Sequence, residues 1–126
     1  MSQTFELSYK NHPHFRQLAD FCHNGENALH LKSLSGSALS LLFHAIYQNK
    51  KKHHLLIFPD KEKAAYIYND LRKLSGDDEL IQFYPSAYKR SVEYNQLDNT
   101  NILLKTEVLN RISSTRKPYV LITHPE

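Results

Sequence analysis

The chain has 126 residues, a formal net charge of +3 and a hydrophobic fraction of 40%. That length carries a single domain, residues 1–126, with a core of its own, and that composition excludes a disordered chain. Basic residues outnumber acidic ones by only 16 to 13, dispersed along the sequence, which gives no nucleic-acid signature by itself. Nowhere is there a run of about 18 apolar residues able to cross a bilayer, so no membrane partner is expected. The start, Met1 to Glu6, has no basic or apolar leader character, and the lone Cys22 cannot form an intramolecular disulfide. Both point to the cytoplasm. With no helix N-terminus or basic partner evident beside it, Cys22 reads as a buried structural thiol.

In chain order, Pro13 opens a helix whose apolar residues Phe15, Leu18, Ala19 and Cys22 fall at i, i+3, i+4 and i+7. It stops near Asn24-Gly25. A strand is predicted at Ala28 to Leu31, followed by a Ser-Gly-Ser loop and a helix from about Ser37 to Gln48 that is apolar on most sides. His54 to Phe58 is a continuous apolar run closed by Pro59, as in a central parallel strand. Asp60 then caps a helix carrying Ala64, Ile67, Tyr68, Leu71 and Leu74, and Gly76 supplies a left-handed stop. Another strand spans about Leu80 to Tyr84. The stretch from Ser86 to Asn99 has no clear period, a helix runs from about Thr100 to Ser113, and the last strand is Tyr119 to Thr123. Strands alternating with helices imply an α/β fold of three layers, a mostly parallel sheet with helices on both faces.

In such folds the loop after the first strand is where phosphates bind. Here Ser33-Leu34-Ser35-Gly36-Ser37-Ala38-Leu39-Ser40 occupies the frame of a phosphate loop, with Ser33, Ala38 and Leu39 in place of the two glycines and the lysine. A working loop needs the glycines to wrap backbone N–H groups around the phosphates and the lysine to reach the β- and γ-oxygens. Ser40 stands at the magnesium position, and Gly36-Ser37 keep the turn. Locally the same residues also read as an ordinary strand-to-helix turn. Either way the loop is predicted to be inactive, and no catalytic residue is assigned.

The run Lys50-Lys51-Lys52 reads as a solvated helix end, where cations favour the dipole. The eight histidines show no metal-ligand spacing, so no metal site is assigned. Between Tyr84 and Tyr94, aromatics alternate with Lys89 and Arg90. Tyr88, Lys89, Arg90 and Tyr94 are therefore the candidates for a nucleic-acid or interdomain loop, against the plainer reading of a packed loop with basic residues reaching to solvent.

The succession Leu34-Ser35-Gly36-Ser37-Ala38, Leu56-Ile57-Phe58-Pro59-Asp60 with Ala64-Ala65 and Asp70-Leu71, Phe83-Tyr84-Pro85, Thr106-Glu107-Val108-Leu109 and Val120-Leu121-Ile122-Thr123 resembles the N-terminal subdomain of the transcription-repair coupling factor. The likeness runs from about His12 onward and rests on order and spacing. It implies a UvrB-like, RecA-type subdomain whose phosphate loop has degenerated. It further implies that the parent is an ATP-dependent DNA translocase acting on stalled RNA polymerase and recruiting UvrA to double-stranded DNA. ATP and magnesium would then belong to motor domains outside this chain, and the parent's other domains would be its partners. The end directly after a strand, at Thr123 to Glu126, is read as the edge of a piece cut from a longer polypeptide. Lys105 departs from the family, which commonly has arginine there, so a charge-specific role at that position is left open. A divergent phosphate-loop nucleotide-binding domain and a stand-alone Rossmann-like binding module are the alternatives, with Leu39 discriminating against the first.

Overall fold

The computed structural model describes residues 11–25, 27–49, 51–86 and 95–125, with side chains from residue 101 in the last stretch. Helix α1, Pro13–Asn24, begins where His12 Nδ1 accepts the His14 N–H at 3.2 Å, and ends at Gly25, whose φ of 65° supplies the left-handed cap. Helix α2 is Ala38–Asn49, and strand β1 is His54–Ile57. Asp60 caps α3, Lys61–Leu74, by accepting the Lys63 N–H at 2.8 Å. Strand β2, Ile81–Tyr84, is followed by α4, Asn95–Ser114, and by β3, Val120–Thr123.

The described strands form one parallel sheet in the order β1-β3-β2. Side chains alternate across a strand, so the register sorts them by face. His54, Val120 and Ile81 lie in one row and Leu56, Ile122 and Phe83 in the next. This face carries the main core, in which Val120 and Ile122 pack under Ala64, Ile67 and Leu71 of α3 and Tyr47 of α2. Phe15 of α1 and Ala45 and Ile46 of α2 make a second cluster, so α1 packs on α2. The other face presents Leu55, Leu121 and Gln82, then Ile57, Thr123 and Tyr84. Here α4 packs on β2, with buried Val108 and with Lys105 Nζ 5.5 Å from the centre of the Tyr84 ring.

Helices therefore do lie on both faces of a parallel sheet. The predicted strand at Ala28 to Leu31 does not form: these residues run as irregular backbone between two left-handed residues, Asn27 at φ 71° and Ser33 at φ 63°. A central parallel strand must be apolar on both faces. Here both Ala28 and His30 are exposed, so one side of the segment is left uncovered.

Candidate functional site

Loss of that strand changes the setting of the Ser33 to Ser40 segment. No strand in the described structure leads into Ser33, so the segment lacks the strand-to-helix setting in which parallel α/β folds bind phosphates. Its second half instead forms the entry to α2. The Ala38 N–H donates to Ser35 O at 3.1 Å and the Leu41 N–H to Ser37 O at 3.0 Å, so Ser35 to Ser37 serve as the entry turn of the helix. Gly36 has φ 55°, but nothing stands within 4 Å of where a Cβ would be. The glycine is required by its dihedral and not by crowding from the rest of the described chain.

The three remaining positions turn inward. Ala38 is half-buried, and Leu39 packs against the main core beside Phe43. Ser40 is 1% exposed and its hydroxyl donates to Asp70 Oδ2 at 2.9 Å. Asp70 stands near the end of α3 that leads into the start of β2, so Ser40 faces the amino side of the sheet. Tyr47, further along α2, follows the same direction, its hydroxyl donating to Pro118 O just before β3 at 3.3 Å. Ser40 is thus closed off from solvent, and its hydroxyl hydrogen is used on a carboxylate of the protein itself.

At the carboxyl edge itself the structure places His124, buried after β3. Its Nδ1 lies 2.8 Å from Pro125 O, an obligate acceptor, and its buried Nε2 has no hydrogen-bond partner among the described residues. The ring is tilted against Phe83, and Ser86 Oγ is 3.5 Å away. The candidate loop residues Tyr88, Lys89, Arg90 and Tyr94 lie outside the described residues. Among those described, no group of three or more His, Cys, Asp or Glu side chains is gathered to hold a metal ion. No described helix is long and apolar enough to cross a membrane.

Two expectations about charge change. Lys52 is not a solvated end of α2; its ammonium donates to Cys22 O at 2.9 Å and His23 O at 3.1 Å, the terminal carbonyls of α1. Cys22 thus does have a basic neighbour. Burial nevertheless pushes the thiol up, with Lys52 pulling in the opposite direction. A thiol held protonated is a weak nucleophile. Sequence reasoning missed both Lys52 and Asp70, because each acts on a residue 30 positions away and only the fold joins them.

Fold and loop together define a small parallel α/β protein in which the segment Ser33 to Ser40 leads into helix packing. No protein-family model matches the chain, and neither a curated protein nor a solved structure does.

Proposed function

We propose that this chain is a catalytically inert, UvrB-like scaffold subdomain of a transcription-coupled DNA repair protein. The observation that carries the inert part is Ser40, buried and bonded to Asp70, with Leu39 beside it in the core. The repair part rests on the ordered motifs running from the loop at Leu34 to the strand ending at Thr123. On this reading ATP and magnesium are bound by motor domains elsewhere in the parent. Stalled RNA polymerase, UvrA and double-stranded DNA are the parent's partners.

Isothermal titration with magnesium and ATP tests the inert part. Each absent charged contact is worth about 1.5–3 kcal/mol, so the loss of several should move affinity by orders of magnitude. No measurable heat of binding is expected, and a micromolar dissociation constant would replace the scaffold with a divergent nucleotide-binding domain. The repair part is tested in the encoding organism. Deleting the gene should abolish preferential repair of the transcribed strand after ultraviolet damage, and unchanged strand bias would overturn it.

A further inference from the structure

A groove of about 710 Å³ opens between α1, the irregular segment 29–34 and the start of α2. Its volume is that of a small-molecule site, which commonly spans about 300–1,000 Å³. Phe15, Leu18 and Leu42 form its apolar base, with Leu29, Leu31 and Leu34 as the facing wall. Leu31 is 42% exposed and Leu34 40%, so the wall leaves apolar surface uncovered. The polar lining is one-sided. It consists of Lys32, Gln17 and the imidazoles of His12, His14 and His30, with no carboxylate among the described lining residues. No described residue hydrogen-bonds or ion-pairs with Lys32, which leaves its ammonium available at the rim.

An apolar base beside a cation with no carboxylate among the described lining residues fits one ligand chemistry. A neutral apolar molecule would leave the ammonium unused, and a bare inorganic anion would leave the leucines wet. We propose that this groove binds a small amphipathic carboxylate, its hydrocarbon body on Phe15, Leu18 and Leu42 and its anionic head at Lys32 and His30. The site is separate from the degenerate loop's magnesium position, since Ser40 points into the protein. It stands whether or not the chain belongs to a repair protein.

Titration of the isotope-labelled chain with decanoate, followed by amide chemical shifts, tests this. Saturable shifts confined to residues 14–18, 29–34 and 38–42 are expected, with decanol and inorganic phosphate each binding at least about tenfold more weakly. Lys32→Ala should weaken decanoate about tenfold, the value of one charge-assisted contact. Leu31→Ser combined with Leu34→Ser, at exposed positions that leave folding intact, should weaken it as well. Decanol binding as tightly as decanoate, phosphate reproducing the shifts alone, or insensitivity to Lys32→Ala would each overturn the proposal. So would saturable shifts centred on another surface, or none up to millimolar decanoate.

Discussion

Leu39 and Ser40 take on packing work at the positions where a phosphate loop would carry its lysine and its metal-binding hydroxyl. Rebuilding the loop as Ser33→Gly, Ala38→Gly and Leu39→Lys should therefore yield no ATPase. Hydrolysis also requires a magnesium-binding carboxylate and a residue that positions the attacking water. The last strand ends in Thr123-His124-Pro125, with no aspartate in line. A lysine at position 39 would in addition replace the half-buried Leu39 that packs against the main core, at a cost of about 2 kcal/mol in chemical denaturation. Phosphate-release turnover above the unmodified chain is the result that contradicts this. Ser40→Ala probes the same packing from the other side, because it strands the Asp70 carboxylate. It should lower stability by about 1–2 kcal/mol, and Ser40→Ala with Asp70→Asn should recover part of that loss in a double-mutant cycle.

Elements were legible in the sequence wherever one periodicity spanned them and a cap marked the end. Pro13, Gly25 and Asp60 delimit α1 and α3 where the pattern places them, and the three apolar runs ending at Ile57, Tyr84 and Thr123 are strands. Helix α4 starts earlier than its apolar period suggests, at Asn95, because Asn95 to Asn99 contains one apolar residue and periodicity is blind there. Ala28 to Leu31 failed for a different reason: a strand exists only through its neighbours, and four residues carry no information about whether a ladder will accept them. The contacts between elements were not legible at all. Lys52 on the end carbonyls of α1 is one, and Lys52→Ala should destabilise by about 0.5–1 kcal/mol, less so in high salt. His54 is another. Its ring stands edge-on to Phe43 and Tyr47, and burial, then Lys52 and His53, lowers its pKa below the ordinary 6.5. The unfolded chain then binds the proton more readily, so this contribution is complete above pH 6.5 and is lost as pH falls through the depressed folded value. His54→Phe should flatten the stability profile between about pH 7 and pH 5, read by denaturant midpoints, and an unchanged slope would show that other groups carry it.

At the scale of the molecule, the two faces of the sheet are unequally covered. Helices α2 and α3 close one, whereas α4 lies over β2 and leaves Leu55 and Ile57 of β1 59% and 67% exposed. Charge is equally uneven in what it leaves available. Lys52 serves α1, Arg72 donates to Asp78 O and pairs with Asp77, Arg111 pairs with Glu107, and Lys51 and Lys105 stand over Tyr47 and Tyr84. A net charge of +3 with these cations already engaged creates no steering field for a polyanion. Residues 1–126 alone are therefore expected to bind a labelled duplex no more tightly than about 10⁻⁴ M at physiological salt, by fluorescence anisotropy. Lys89 and Arg90 are the exceptions that the sequence itself singles out, since they alternate with Tyr88 and Tyr94. If they contact phosphates, Lys89→Ala with Arg90→Ala should flatten the salt dependence of DNA binding by the parent by about one unit of slope per lost contact. Micromolar binding by the chain alone, lost in that double variant, would make it a DNA-binding module in its own right and would displace the scaffold reading.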